Sequence, residues 1–360
     1  MRAVVLVGGK GTRLRPLTYR TPKQLLAVAE VTIIERVVGH LRSHGVTEVV
    51  LSMGYQPDAF RLAFPDERCA GVPLSYAVES EPLDTAGGIA FAARAAGIDD
   101  TFIAVNGDVL TDLDLGALVA MHRARGGQAT IGLTPVEDPS AFGVVPTDDE
   151  NRVLAFIEKP AAADAPTNYI NAGFYVLEPS VLDRIPVAQP YKIETQVFPA
   201  MAAEGALFAL QSDAYWTDAG TPELFLQANL DLIAGRRDGP PAPHARQRTH
   251  AIWTLGAAII DGHVDGPALI GDAAYIASGA TVHASVIGAG ARIEAGAVVN
   301  DSVVLAGAVI RAEAHVDGSI VGDGAVIGRG AKLSGLSVVQ GEVEVPEGAD
   351  LHGARVGNEG

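Results

Sequence analysis

Apolar residues follow two different rhythms along the 360 residues of this chain. Over residues 1–234, short β-rich apolar runs alternate with stretches whose apolar positions recur at helical spacing. The run Ala3-Val4-Val5-Leu6-Val7 and the segments 48–51, 74–78 and 102–105 read as strands, and 33–44, 86–96 and 115–124 read as helices between them. Alternation at this spacing predicts right-handed βαβ crossovers and an α/β fold, with a Rossmann-like, mostly parallel sheet covered on both faces. Ligands of such sheets sit at the carboxyl ends of the strands. Two polar features fall there: a glycine loop after the first run, and Asn106-Gly107-Asp108 after the run that ends at Val105.

The rhythm breaks at Gly235-Arg236-Arg237-Asp238-Gly239-Pro240-Pro241-Ala242-Pro243, where proline, glycine and charge read as a connector over 235–251. Beyond it, Ser285-Val286-Ile287-Gly288, Ser302-Val303-Val304-Leu305, Ser319-Ile320-Val321-Gly322 and Ser337-Val338-Val339-Gln340 recur every 17 to 18 residues, with one aliphatic residue about every six. A six-residue beat tripled into a coil predicts a triangular solenoid, with aliphatic residues inside, Ala and Gly at the corners, and each coil stacked on the next. This pattern resembles the hexapeptide-repeat left-handed parallel β-helix, and the handedness is implied by that resemblance. The repeat is expected over 252–345, its first part a weaker edge coil, followed by a tail at 346–360.

Composition narrows the function. Hydrophobic residues make up 48% and charged residues 19%, as in a globular protein, and the length suits two domains. A formal charge of −17 opposes binding to nucleic acid or to an anionic membrane surface, so a bound polyanion must be met locally by arginines and lysines. The single cysteine, Cys69, excludes a disulfide framework and a thiolate metal cluster and reads as a passive thiol. No signal-peptide zones and no apolar span of the ~20 residues a membrane helix needs are present. A cytoplasmic protein is expected.

The loop Gly8-Gly9-Lys10-Gly11-Thr12-Arg13-Leu14-Arg15, with Lys23 beyond it, combines close backbone approach with concentrated positive charge, which suits a triphosphate. It lacks the Gly-Lys-Ser/Thr of a Walker loop, and Leu14 stands where a dinucleotide fingerprint would need its third glycine. Asp108, at a strand end, can hold Mg²⁺, while Asp112 or Asp114 is better placed to cap the next helix. In Trp216-Thr217-Asp218-Ala219-Gly220-Thr221-Pro222, Thr221 reads as a helix cap with Pro222 in the first turn, and Asp218 lies outside that cap. Two distant acids and a triphosphate loop point to phosphoryl or nucleotidyl transfer.

Over essentially its whole length the chain resembles the sugar-1-phosphate nucleotidyltransferases, the nucleoside-diphosphate-sugar pyrophosphorylases. The residues that carry the resemblance run in family order: Gly8 to Leu17 with Pro22-Lys23, Glu81-Pro82-Leu83-Asp84-Thr85-Ala86-Gly87, Asn106-Gly107-Asp108, Phe142-Gly143-Val144-Val145, Phe156-Ile157-Glu158-Lys159-Pro160, Asn171-Ala172-Gly173 and Trp216-Thr217-Asp218-Ala219-Gly220. The repeat domain resembles that of the subgroup that includes mannose-1-phosphate guanylyltransferases and thymidylyltransferase-like bacterial relatives. The resemblance implies that Gly8, Gly9 and Gly11 cradle the nucleotide, with Thr12, Thr85 and Gly107 also at it. Arg13 and Lys23 would meet the phosphates. Asp108 and Asp218 would hold Mg²⁺. Glu158 would accept from sugar hydroxyls, Lys159 would pair with the sugar phosphate, and Gly143 and Asn171 would line the sugar pocket.

Some positions depart from the family pattern. Gln24 stands where proline often follows the lysine, Asp84 replaces a common glycine, and Tyr191-Lys192-Ile193-Glu194-Thr195 replaces Val-Ser-Ile-Glu-Arg. Glu79 lies in the segment that meets the base in this family, where thymidylyltransferases usually present glutamine. A carboxylate can accept from both N1–H and the 2-amino group of guanine, so GTP is expected. Mannose 1-phosphate as the acceptor, giving GDP-mannose, is implied by the family resemblance alone. Rival readings are a glucose-1-phosphate thymidylyl-, uridylyl- or adenylyltransferase, a catalytically silent regulatory homologue, and a hexapeptide acyltransferase. Against the last, His263, His283 and His315 are dispersed and read as surface residues. The flat faces and open ends of a solenoid imply a homo-oligomer.

Overall fold

The computed structural model describes every residue except Tyr55, Asp238, His250, Glu359 and Gly360. Two positions of the expected connector, Asp238 and His250, and the last two of the expected tail therefore lie outside the described residues. Contacts divide the chain into two compact units, residues 1–9 with 34–216 and residues 10–33 with 217–360. This division differs from a boundary at 234, because the segment that follows Gly9 groups with the C-terminal half.

The first unit is built on a mixed sheet. Its strands are β1 (Arg2–Leu6), β2 (Glu48–Met53), β3 (Val72–Val78), β4 (Phe102–Asn106), β5 (Ala129–Pro135), β6 (Gly143–Val144), β7 (Ile157–Glu158), β8 (Tyr169–Leu177) and β9 (Leu207–Gln211). They lie in the order β7-β6-β8-β4-β1-β2-β3, with β5 paired to β8 and β9 paired to β5. Strands β4, β1, β2 and β3 are parallel, whereas β8 runs antiparallel to both β4 and β5. The helices α1 (Ile33–Ser43), α2 (Asp84–Ala95) and α3 (Leu115–Arg125) occupy the connections. Their bounds fall within two residues of those the apolar spacing predicts. The Asp114 side chain caps α3 by accepting from Ala117 N, and Gly126 ends it at φ +63°.

Helix α2 buries Ile89 together with Ala86, Ala90 and Ala93, and the small alanine side chains let it lie close to the sheet. The chain passes from β1 outward through β2 to β3 and then returns to place β4 on the other side of β1. That reversal is a topological switch point, and it leaves a crevice above the ends of β1 and β4.

In the second unit, α4 (Pro222–Ile233) starts at Thr221, whose side chain accepts from Leu224 N as expected. A parallel β-helix follows, consistent with the left-handed form. Its three faces are sheets running from Ile252–Thr254 to Arg355–Val356, from Ile259–Ile260 to Glu344–Val345, and from His263–Asp265 to Asp350–His352, and Arg246–Thr249 adds to the first of them antiparallel. Val286, Val303, Ile320, Val338 and Arg355 stand in register, so from Val286 onward the coils repeat at 17 residues with one of 18. Pairing thus extends on both sides of the expected 252–345, into the connector and into the tail. Inside, Ile270, Ile276, Ile287, Ile293, Ile310 and Ile327 stack with buried alanines at the corners. His263 and His315 are exposed and His283 half-buried, on the outer side of one face.

Candidate active site

The crevice of the first unit is shaped by glycines. Gly107 N–H donates to Leu6 O at 2.9 Å, and a Cβ at Gly107 would stand 2.7 Å from that oxygen, so the Asn106-Gly107-Asp108 turn rests directly on the end of β1. The Gly107 amide, expected at the nucleotide, is therefore engaged by the protein. Gly8 and Gly9 line a cavity of about 250 Å³ with Leu6, Ser52, Glu79 and Thr85. Glu79 is held there by two donors: Ser52 Oγ lies 2.9 Å from Oε1, and Leu83 N donates to Oε2 at 3.0 Å. An ionised carboxylate has about four acceptor sites, so two donors leave capacity for a ligand. Gly88 makes this possible, since a Cβ there would lie 2.9 Å from Glu79 Oε1.

Thr85 Oγ1 donates to Glu194 Oε2 at 2.7 Å and accepts from Ile193 N at 2.9 Å. Its hydroxyl thus ties the start of α2 to segment 191–194. Tyr191 O accepts from Ala86 N and Gly87 N, which satisfies two first-turn amides of the helix.

The residues expected at the sugar lie on the β6–β7–β8 side. Gly143 is in register with Glu158, and a Cβ there would meet the Phe156 ring at 2.6 Å. Lys159 has φ +48°, donates its N–H to Phe142 O, and holds Nζ 3.7 Å from Glu158 Oε1. Asn171 donates to the Tyr175 hydroxyl at 2.9 Å and accepts from Gly173 N at 3.0 Å, across an irregularity in the β8 pairing. Tyr175 is fully buried. Burial, with the Glu194, Glu158 and Asp108 carboxylates, keeps its hydroxyl neutral by raising its pKa, opposed only by the Asn171 hydrogen bond. Burial also raises the Glu194 carboxyl.

In the second unit, Gly11 has φ +61°, and a Cβ there would press on Thr18 and on Lys23 Cβ at 3.3 Å, so this glycine lets the loop close on Lys23. Thr18 Oγ1 donates to Gly11 O at 2.7 Å. Thr12 opens a short 3₁₀ turn, Thr12–Leu14, that turns Leu14 into the interior while Arg13 stays exposed. Arg13 Nη2 lies 3.5 Å from Asp218 Oδ2, and Gly220 leaves the space that pair occupies.

Sequence reasoning missed Ser52, Leu83 N–H, Gly88, Glu194 and Tyr175. The lone hydroxyl in Val49-Val50-Leu51-Ser52-Met53 was a signal for Ser52. Trp216 Nε1 donates to Ala172 O and its ring packs edge-on against Phe142, a partnership no spacing announces. Among the described residues, no group of three or more His, Cys, Asp or Glu side chains forms a metal cage. Mg²⁺ needs only one or two carboxylates besides phosphate oxygens and water, a donor chemistry that Asp108 in the first unit and Asp218 in the second each offer.

A crevice at a switch point, with glycines and an acid at strand ends, is where open α/β sheets take their ligands. The model of the nucleotidyl transferase family matches residues 2–235, that of the GMPPB C-terminal domain matches residues 264–358, and the chain belongs to the nucleotidyl transferase family. It is 42% identical over 270 residues to a mannose-1-phosphate guanylyltransferase of Mycobacterium tuberculosis, covering 73% of this chain and 74% of that one. It is 41% identical over 228 residues to the mannose-1-phosphate guanylyltransferase catalytic subunit beta of Dictyostelium discoideum, covering 63% of each. Crystalline HddC from Yersinia pseudotuberculosis complexed with GMP-PN superposes with a TM-score of 0.55 at 26% identity, over 63% of this chain and 97% of that one. Among the described residues, no helix is long and apolar enough to cross a membrane.

Proposed function

We propose that this enzyme transfers a guanylyl group from GTP to mannose 1-phosphate, giving GDP-mannose and pyrophosphate. The observation that carries the choice of base is Glu79, fixed by Ser52 and Leu83 N–H in the cavity beside Gly8 and Gly9. Its remaining acceptor capacity suits the adjacent N1–H and 2-amino donors of guanine, whereas thymine and uracil offer one ring N–H between two acceptors. The sugar rests on the relatives' activity. Gly8, Gly9 and Gly11 would approach the phosphates closely, with Thr12 beside them and Thr85 orienting the start of α2. Arg13 and Lys23 would neutralise the triphosphate as the sugar-phosphate oxygen attacks the α-phosphorus in line and pyrophosphate leaves. Glu158, Gly143 and Asn171 would form the sugar pocket, with Lys159 at the sugar phosphate. Asp108 and Asp218 would hold Mg²⁺, which supplies further positive charge at the phosphates.

Pyrophosphate release from GTP, dTTP, UTP and ATP, each with mannose or glucose 1-phosphate, tests this reading. GTP with mannose 1-phosphate should lead and should fall to background without divalent cation, and preference for another pair overturns the assignment. Glu79→Gln should shift the GTP:dTTP preference by about 10-fold or more toward dTTP, because losing a paired acceptor leaves a guanine donor unmatched. We place the reaction in the cytoplasm and expect a homo-oligomer, which sedimentation of the full chain checks.

A further inference from the structure

Strands Ala27–Val28 and Val31–Thr32 form a hairpin whose two tip residues, Ala29 and Glu30, have φ +45° and +67°. Tight hairpins demand this backbone and usually obtain it from Asn-Gly, so two side-chain-bearing residues here need support from outside the turn. Ala29 N donates to Asn229 Oδ1 at 2.7 Å, and Asn229, wholly buried on α4, donates to Phe225 O at 2.8 Å. Glu30 Oε2 accepts from Ala289 N, at a corner of the β-helix, at 2.9 Å. The corner is open enough only because position 271 is glycine, where a Cβ would stand 2.7 Å from the same oxygen. Burial raises the Glu30 carboxyl, the Ala289 hydrogen bond opposes that, and the Asp323 carboxylate adds to the rise. On the other side of Lys23, Arg20 Nη1 pairs with Glu342 Oε2 at 3.1 Å, on a later coil. Segment 10–33, which carries Gly11, Thr12, Arg13 and Lys23, is thus anchored on the β-helix at Glu30 and meets it again through the exposed Arg20–Glu342 pair, within one compact unit.

We propose that Glu30 is a positioning residue for phosphoryl transfer: seated on the Ala289 amide, it fixes the hairpin that follows Lys23, so that the β-helix corner sets the posture of the segment bearing Arg13 and Lys23. The β-helix then serves catalysis in the same chain, in addition to any role in assembly. This rests on the reaction proposed above, since a nucleotidyl transfer governed by charge placement is sensitive to small shifts of its cations.

The test uses the full chain with Glu30→Ala, Glu30→Gln and, as a control elsewhere on the β-helix, Glu294→Ala. Glu30→Ala should lower kcat for pyrophosphate release by about 10- to 100-fold, with an unfolding midpoint close to that of wild type. It should also speed amide hydrogen exchange across 10–33 while leaving the solenoid strands protected. Glu30→Gln keeps an oxygen to accept from Ala289 N and should restore most of kcat, and Glu294→Ala should match wild type in both readouts. Unchanged kcat or unchanged exchange at 10–33 in Glu30→Ala overturns the proposal. So does a common fall in midpoint and activity for both Glu30 variants, which would mark a purely structural role. If wild type releases no pyrophosphate with any substrate pair, the reaction assignment fails, and the exchange measurement alone decides whether Glu30 fixes the segment.

Discussion

The sheet of the first unit and the β-helix are both made mainly of parallel strands, yet they use them in opposite ways. In the sheet, each return between neighbouring parallel strands is long, unequal in length and carries a helix, so the joints after β1 and β4 are free to differ and to carry Gly8, Gly9 and Asp108. In the β-helix each return is a short corner of Gly and Ala, and successive coils are near copies. Its recurrent buried polar group is a serine. Ser302 N donates to Ser285 Oγ at 3.1 Å and Ser319 N to Ser302 Oγ at 3.0 Å, so the hydroxyls bridge coils and leave little for a ligand. Regular repetition stabilises, and chemistry gathers where repetition fails.

Four substitutions would break or sharpen this contrast. Arg13→Ala should lower pyrophosphate release by about 100- to 1000-fold, as expected when a preorganised donor to developing charge is lost, with an unchanged circular dichroism melt. A mild effect would mean that the glycine-loop segment is not where the chemistry lies. In the β-helix, Ile310→Ala removes a fully buried side chain and should cost about 2–5 kcal/mol in denaturant unfolding. Ser302→Ala should cost less, about 1–3 kcal/mol, because it leaves the buried Ser319 N–H without its acceptor. Glu313→Ala loses an exposed pair with Arg329 and should stay at or below about 1 kcal/mol. If Ser302→Ala cost no more than Glu313→Ala, the serine column would be ornament. Cys69 offers a last check, since burial pushes its thiol up to about 12 and the folded protein should resist thiol reagents at neutral pH.

Much of both architectures was legible because their periods are strong. Strands β1, β2 and β4 are short buried apolar runs, and the coils announce themselves through serine at a near-fixed interval. The antiparallel β8 left no comparable mark, since direction is set by pairing with β4 and β5 rather than by composition. Among candidate site residues, the glycines, Arg13, Lys23 and the acids stand out in the sequence because each belongs to a motif. The roles of Glu194 and Tyr175 do not, because they come from burial and pairing: Glu194 meets Thr85, 109 residues away, and Tyr175 meets Asn171 only through the local irregularity of β8. Segment 10–33 was the largest misfit. Its order in sequence assigns it to the first domain, whereas its hydrogen bonds run to Asn229 and Ala289.

That long-range anchoring bears on how the molecule is made. The ribosome emits the segment around Arg13 more than 200 residues ahead of Asn229, Ala289 and Glu342. Domains tend to mature in the order of their synthesis, so the α/β sheet can consolidate while this stretch still waits for its anchors. Competence for catalysis should therefore appear late, and a nascent chain stalled before its coils are wound should remain inert toward nucleotide.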